Sequence, residues 1–297
     1  MKDAVLKLKK EKNALILAHY YAPLEIWELA DFVGDSLELS RKAAAAKEDL
    51  IVFCGVRFMA ESAKLLNPTK KVLLPVADAG CPMADMITAE KLAELKKLHP
   101  EAAVVCYVNS SAAVKALSDI CCTSSNAVKV VSSLEADEII FVPDRNLGAH
   151  VAKHNPQKKF HFIDGYCPIH NACTVKDLEK AKALHPKALV ACHPECGEGA
   201  PALSDYVGST TGILDFCRKS EGKEFIIATE LEIVLALQKE LPEKTFYPAK
   251  EGFLCEDMKK NTVKALFDAL KEETGEILLP PEVLTSAARA LERMINL

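Results

Sequence analysis

The sequence predicts an α/β protein of three repeated units, each a parallel sheet covered by helices, with the units arranged around a pseudo-threefold axis. Two observations lead to this prediction. Short runs rich in apolar and β-branched residues alternate with helical stretches along the chain, as in parallel sheets joined by helical crossovers. The same order of signals then recurs three times, which indicates an internal repeat.

The first unit shows how each element is predicted. Residues 14–18, 50–53 and 72–74 are short apolar runs that predict strands. Residues 36–46 and 59–66 lie between these runs and predict helices. Strands separated by helices in this way run parallel to one another, because each helix carries the chain back to the starting edge of the sheet.

An aspartate marks the same position in each repeat. Asp31, Asp119 and Asp205 are 88 and 86 residues apart. A hydroxyl residue follows each aspartate by five positions, at a predicted helix start; these residues are Ser36, Ser124 and Thr210. The first strand of each repeat ends twelve positions before the aspartate, at His19, Tyr107 and His193. The residues two positions further on are Tyr21, Asn109 and Glu195.

One cysteine occupies the loop after the third predicted strand of each repeat. Cys81, Cys167 and Cys255 lie 50, 48 and 50 residues beyond the repeat aspartate. The other eight of the eleven cysteines have no such spacing, and we expect them to be mainly structural. Because loops that follow parallel strands gather at the carboxyl edge of a sheet, three units facing one another would bring these cysteines into one cavity.

The repeat divides the chain into segments that we expect to fold as units. They are residues 1–101 with an N-terminal helix, residues 102–187, residues 188–274, and a helical tail, 275–297, that packs back on the protein. A Leu-His-Pro sequence stands at both joins, at 98–100 and 184–186.

Composition excludes several classes of function. With 49% hydrophobic and 27% charged residues, the 297-residue chain has the composition of a well-packed globular protein. Its net charge of −5 argues against nucleic acid as the main partner. No stretch approaches the roughly 18 apolar residues of a membrane span, and residues 1–13 lack the apolar core of a signal peptide. We therefore expect no membrane partner, a cytoplasmic location and reduced cysteines.

Three convergent thiolates suit a 4Fe-4S cluster with one iron left open, because thiolate is the ligand that holds iron–sulfur clusters. Such an iron acts as a Lewis acid when water leaves a substrate. A zinc site formed by the three cysteines and His170, which follows Cys167 by three residues, stays open as the alternative.

The other repeated polar residues have two interpretations each. The three hydroxyls are interpreted as N-caps or as ligands for phosphate or carboxylate at helix starts, and the two roles can coexist. His19 and His193 are either structural or act on anions and protons. Glu195 and Tyr21 are candidate acid–base groups, with Tyr107 and Asn109 as positioning donors. The chain contains no P-loop, GxGxxG or nucleophile elbow, which argues against the usual nucleotide-binding and hydrolase classes.

Nine segments together resemble quinolinate synthase, and the resemblance covers nearly the whole chain. They are LAHYY (17–21), DFVGDSLELSRKA (31–43), YVNSSAAVKALSD (107–119), CTSSNAVKVV (122–131), PDRNLG (143–148), GYCPIH (165–170), HPEC (193–196), YVGSTTGIL (206–214) and CEDMKKNT (255–262). The set is specific in combination, although no single segment would suffice.

The resemblance implies three αβα three-layer sandwich units around a central 4Fe-4S cluster held by Cys81, Cys167 and Cys255. It implies condensation of iminoaspartate with dihydroxyacetone phosphate to quinolinate, the pyridine precursor of NAD, with loss of phosphate and two waters. Tyr21 and Glu195 match acid–base residues of the family, and Tyr107 and His193 are counted as catalytic with them. The matched substrate-binding positions are His19, Ser36, Tyr107, Val108, Asn109, Ser124, His193, Pro194, Glu195 and Thr210.

Two rivals to this interpretation stay open. One is another cluster-dependent dehydratase that acts on a different small acid, and the other is an iron–sulfur carrier without turnover. The many polar residues expected around the cysteines favour an enzyme. Functional coupling to the enzyme that makes iminoaspartate is a further expectation. Cys121 has no match in the family pattern, and the C-terminal CxxC pair of some members is absent.

Overall fold

The structure, a computed structural model, describes residues 1–297 and contains three four-stranded sheets, all of them parallel. The strands are β1 (Ala14–His19), β2 (Phe32–Gly34), β3 (Leu50–Cys54), β4 (Lys71–Leu73), β5 (Ala103–Tyr107), β6 (Ile120–Cys122), β7 (Glu138–Val142), β8 (Lys159–Phe162), β9 (Leu189–Cys192), β10 (Tyr206–Val207), β11 (Glu224–Ala228) and β12 (Thr245–Pro248). The sheet orders are β2-β1-β3-β4, β6-β5-β7-β8 and β10-β9-β11-β12. The predicted threefold repeat is therefore confirmed.

Helices follow the strands in each unit. They are α1 (Lys2–Glu11), α2 (Leu24–Trp27), α3 (Ser36–Ala44), α4 (Arg57–Leu66), α5 (Ala89–Leu98), α6 (Ala112–Ala116), α7 (Ala127–Ser132), α8 (Arg145–His154), α9 (Pro168–Asn171), α10 (Val175–Leu184), α11 (Thr210–Lys219), α12 (Leu231–Glu240), α13 (Glu256–Lys259), α14 (Val263–Glu272) and α15 (Pro281–Ile295). Two 3-10 helices span Ala84–Met86 and Ala200–Leu203. None of the helices combines the length and apolarity that crossing a bilayer requires.

A short edge strand in each sheet was not predicted. β2, β6 and β10 directly follow the repeat aspartates, and they pair with β1, β5 and β9. Each aspartate accepts a hydrogen bond from a backbone N–H of the neighbouring strand, at Ile16 (2.8 Å), Val104 (2.8 Å) and Val190 (2.7 Å). The repeated aspartate thus links the start of the edge strand to the neighbouring strand by a side-chain hydrogen bond. Strands of two or three residues are too short for an alternation pattern to reveal them.

Both faces of the first sheet are buried, which explains the continuous apolar runs. Leu17 faces one side, where it belongs to a cluster with side chains of α3 and α4. Ile16 and Ala18 face the other side, with side chains of α1 and α14. Parallel strands covered on both faces have this composition. The result is the three-layer αβα sandwich that the resemblance to the quinolinate synthase family implied.

The last helix of each unit packs against the next unit. α10 contacts the third sheet, and Lys96 of α5 donates to the carbonyl of Leu117 in the second unit (2.7 Å). α14 closes the ring by packing against β3 and α1 of the first. The tail helix α15 packs against α4 and α6. We retain the unit boundaries after residues 101, 187 and 274 as a proposal, in which α14 belongs to the third unit by chain order and to the first by packing.

The two Leu-His-Pro joins are held by aromatic stacking. His99 lies on His161 with ring centroids 3.5 Å apart, and His185 lies on Tyr247 at 3.4 Å. His161 also contacts the Glu138 carboxylate at 2.8 Å. These stacks lie near the amino-terminal ends of the strands, because both joins immediately precede the first strand of a unit.

Candidate active site

One cavity of about 320 Å³ is lined by residues that follow strands of all three sheets. Twelve of the predicted site residues line it: His19, Tyr21, Ser36, Cys81, Tyr107, Asn109, Ser124, Cys167, His193, Glu195, Thr210 and Cys255. Val108 and Pro194 do not. Both are buried, and the backbone N–H of Val108 donates to the carbonyl of Cys122 (2.9 Å). The functional roles of all these residues remain predictions.

The three repeated cysteines differ from the other eight in exposure. Cys81, Cys167 and Cys255 are partly exposed on the cavity wall, whereas every other cysteine is buried. Burial raises the pKa of Cys81 to about 12 and that of Cys255 to about 11, and the negative charge of a Cys255 thiolate further raises the pKa of Cys81. These thiols are therefore protonated at neutral pH unless a cation replaces the protons.

The hydroxyls at the helix starts are not N-caps, so the capping interpretation is wrong. Asp35 caps α3 and Ser209 caps α11, which leaves Ser36 and Thr210 as the first helical residues. Ser124 lies in the turn before α7. All three hydroxyl residues line the cavity. The caps take up the N–H groups of Leu37, Glu38 and Gly212. The N–H of Ser36, the remaining N–H groups at the start of α11 and the three hydroxyls are available to an anion.

His19 and His193 have the same local geometry. The Nδ1 atom of each ring accepts the backbone N–H two residues further on, at Tyr21 (3.1 Å) and Glu195 (3.3 Å). Burial lowers the pKa of His19 to about 4 and that of His193 to about 3. Both rings are therefore neutral near pH 7, and the proton is on Nε2 because Nδ1 is an acceptor. They serve as hydrogen-bond donors rather than as cations.

Glu195 is a buried carboxylate between two donors. Tyr107 Oη donates to Oε1 at 2.5 Å, and His170 Nδ1 lies 3.0 Å from Oε2. Burial opposes charge on Glu195, but the hydrogen bonds from His170 and Tyr107 favour it, and the pKa of this carboxyl is lowered. Burial, followed by the negative charge of Glu195, raises the pKa of Tyr107 and Tyr21 well above the ordinary value. Glu195, Tyr107 and Tyr21 thus combine an anionic acceptor with two protonated phenols, and Asp35, Glu230, Glu256 and Asp257 also line the cavity.

A chain of hydrogen bonds links these groups through two residues for which no catalytic role was predicted. Tyr21 Oη contacts Thr229 Oγ1 at 2.9 Å, and Thr229 Oγ1 contacts His170 Nε2 at 2.9 Å. His170 reaches Glu195 on its other nitrogen, so both ring nitrogens have partners. His170 Nδ1 also lies 3.3 Å from Cys167 Sγ, and Cys167, His170 and Glu195 offer metal-ligand atoms within 4.8 Å of one another, so the zinc alternative stays open. Thr229 directly follows β11, so the rule for carboxyl strand ends would have found it.

No lysine or arginine lines the cavity. Lys259 approaches it but is paired with Glu230 and Glu232, at 2.8 Å to each. Anion recognition here must therefore come from helix N–H groups, hydroxyls and neutral histidines. The Oδ1 atom of Asn109 is buried without a hydrogen-bond partner, which makes it available to a donor group on a bound molecule.

Comparison with known proteins identifies the family. The family model described as quinolinate synthetase A protein matches residues 3–296. Quinolinate synthase of Caldicellulosiruptor bescii is 52% identical over 100% of this chain and 98% of its own. Quinolinate synthase 2 of Methanosarcina acetivorans is 52% identical over 99% and 94%, and quinolinate synthase of Geobacter metallireducens is 53% identical over 99% and 97%. The chain belongs to the quinolinate synthase family.

Proposed function

We propose that this enzyme condenses iminoaspartate with dihydroxyacetone phosphate, giving quinolinate, phosphate and two waters as a step toward NAD. The observation that carries the proposal is the meeting of three repeated cysteines and the hydrogen-bonded Glu195 centre in one cavity. The family assignment supports small-molecule substrates. The cavity of about 320 Å³ has the size of sites that enclose small ligands.

The donor set of the cavity fits a 4Fe-4S cluster. Cys81, Cys167 and Cys255 would hold it, since they are the three cysteines exposed to the cavity and each comes from a different sheet. Thiolate is the ligand that iron–sulfur clusters prefer. When bound, a cluster with one iron free of protein ligands supplies a Lewis acid that assists departure of hydroxide from a substrate.

Glu195 and Tyr21 would move protons during isomerisation and ring closure. Glu195 is anionic and takes a proton from the substrate, whereas Tyr107 and Tyr21 are protonated and donate. Thr229 and His170 join Tyr21 to Glu195, so a proton taken up at one end of the chain can be delivered at the other. General acid–base groups of this kind contribute about 10²–10⁴ to the rate.

The helix starts would hold the anionic ends of the substrates. Ser36 and Thr210 begin α3 and α11, and Ser124 lies on the opposite unit beside His193 Nε2 (3.2 Å). N–H groups at the starts of α3 and α11, these hydroxyls and the histidine donors suit phosphate or carboxylate oxygens. Holding both substrates at fixed points converts their condensation into an effectively intramolecular step.

Cytoplasmic location and functional coupling to the enzyme that supplies iminoaspartate are kept as predictions. The rivals are a cluster-dependent dehydratase of another small acid and a carrier without turnover. The Glu195–His170–Thr229–Tyr21 chain favours an enzyme, because a carrier has no need of a connected acid–base system.

Anaerobic reconstitution with iron and sulfide, followed by an assay for quinolinate, tests the proposal. We expect close to four irons per chain, and quinolinate only when both substrates are present. An iron-loaded protein that makes no quinolinate would contradict the proposed reaction and favour one of the rivals. A protein that retains zinc and takes up no iron would contradict the cluster.

A further inference from the structure

Two buried acids hold the backbone of two of the repeated cysteines. Asp144 and Glu230 each stand two residues after a strand, β7 and β11, and both side chains are fully buried. Asp144 Oδ2 accepts the N–H of Cys167 at 3.0 Å. Glu230 Oε1 accepts the N–H of Cys255 at 3.3 Å. The same contact is thus made at the same repeat position in the second and third units.

Each acid has a second task that uses its other oxygen. Asp144 is the N-cap of α8 and accepts the N–H of Leu147 on Oδ1 at 2.6 Å. Glu230 is the N-cap of α12 and accepts the N–H of Glu232 on Oε2 at 2.7 Å. One carboxylate therefore ties the start of a helix to the cysteine loop of its own unit. An amide side chain has an NH2 donor in place of one of these two oxygens, so one of the two N–H groups would face a donor instead of an acceptor.

The first unit lacks this device. Val56 stands at the equivalent N-cap position two residues after β3, and it makes no side-chain cap. The loop of Cys81 is held instead from the third unit, where Asp257 Oδ1 accepts the N–H of Gly80 at 3.3 Å.

We propose that Asp144 and Glu230 are positioning residues for the cluster, which set how firmly Cys167 and Cys255 retain their iron. The inference rests on the proposed function, because it takes these cysteines to be cluster ligands. Groups that orient metal ligands typically change metal retention by about 10–100-fold when they are removed. Neither acid was among the predicted site residues, and neither needs to touch a substrate in this role.

The test is the rate at which a ferrous chelator removes iron from the anaerobically reconstituted full-length enzyme. We expect Asp144→Asn to release iron at least about 10-fold faster than the unchanged protein. The melting temperature of the metal-free protein is measured in parallel. Asp177→Asn is the matched control: Asp177 stabilises the start of α10 in the same unit, by accepting from Thr174 N (2.8 Å) and Thr174 Oγ1 (2.7 Å), and has no hydrogen bond to a cysteine. It should shift the melting temperature without changing iron release.

The inference is overturned if Asp144→Asn releases iron at the unchanged rate, or if the control accelerates release as much for the same loss of melting temperature. If Asp144→Asn does not fold, Glu230→Gln is judged by the same two measurements. Failure of the proposed function would look different, because it would be seen in the unchanged protein, which would then either hold no cluster or hold iron and form no quinolinate.

Discussion

The carboxyl edge and the amino edge of the sheets come from the same repeat but use polar residues differently. At the carboxyl edge, Glu195 and His170 are buried, share hydrogen bonds across units and line a cavity. At the amino edge, His185 stacks on Tyr247, and Glu273 pairs with Lys12 and Lys71 at 2.6 Å each. These latter groups are at least partly exposed and close the joins between units.

The difference shows that a repeated polar residue is not by itself a sign of function. His99 and His185 recur as regularly as His19 and His193, yet only the second pair faces the cavity. The position along the strand separates them. Residues after a parallel strand face the cavity that all three units share, and residues before it contact only the adjoining unit. Substitutions at the two edges should therefore separate activity from stability.

The largest expected effect is at the cavity cysteines. Cys255→Ala should abolish iron binding and quinolinate formation, because Cys81 and Cys167 are the two other cysteines on the cavity wall and no fourth thiol lies there to replace Cys255. Cys217→Ala is the matched control, since this thiol is buried in the core of the third unit. It should cost about 1 kcal/mol of stability and leave iron content unchanged. Full activity of anaerobic Cys255→Ala would remove this cysteine from the proposed ligand set.

The next largest effect is a loss of turnover without a loss of iron, at Glu195 on the carboxyl edge. Glu195→Gln should retain the iron but lower kcat by about 100-fold or more, because the amide cannot take up a proton. Iron analysis and steady-state kinetics measure the two outcomes. Glu198→Gln, an exposed position three residues away, should behave as the unchanged enzyme. An unchanged kcat for Glu195→Gln would show that Glu195 takes no proton during turnover.

A smaller effect is expected at the amino edge. His185→Ala removes the stack on Tyr247, whose ring centroid lies 3.4 Å away, and should lower the free energy of unfolding by about 1 kcal/mol. Denaturant titration measures this loss, and kcat should not change. His99→Ala tests the corresponding stack on His161. A fall in kcat without a fall in stability would mean that the amino edge communicates with the cavity.

The smallest effect depends on pH. The hydrogen bonds from Lys12 and Lys71 lower the pKa of Glu273 from 4.5 to about 2. Because the folded pKa is the lower one, the pairs stabilise the fold above pH 4.5, and this contribution is lost as the pH falls toward 2. For such a partly exposed pair the contribution is below about 1 kcal/mol. Unfolding of Glu273→Gln, compared with exposed Glu272→Gln, should differ at pH 7 and converge near pH 2; a constant difference would contradict the ion-pair explanation.

Much of the fold and of the cavity wall was predictable, because both follow from a regular repeat. The spacing of Cys81, Cys167 and Cys255 identified three loops, and parallel-sheet geometry placed those loops at one edge. The capping interpretation of Ser36 and Thr210 failed because Asp35 and Ser209, one position earlier, occupy the cap.

Contacts between units were not predictable in the same way. The chain Tyr21–Thr229–His170 joins residues from all three units, and no local pattern records how the units are rotated toward one another. The cysteine-holding role of Asp144 was hidden for another reason. An aspartate before a helix is an ordinary N-cap. Only the three-dimensional position of the cysteine loop shows that the second carboxyl oxygen of Asp144 accepts the N–H of Cys167.

The packing of α14 against the first sheet has a consequence for how the chain is made. Ile16 and Ala18 share a buried cluster with Leu266 and Leu270, which are separated from them by almost the whole sequence. During synthesis, this face of the first sheet has only the part of its cover that the first unit itself supplies, such as α1, until α14 has left the ribosome. Exposed apolar surface on a waiting intermediate promotes aggregation. Complete burial of the first sheet, which is made early, therefore depends on α14, which is made late. A nascent chain that stops before α14 exposes part of this apolar face.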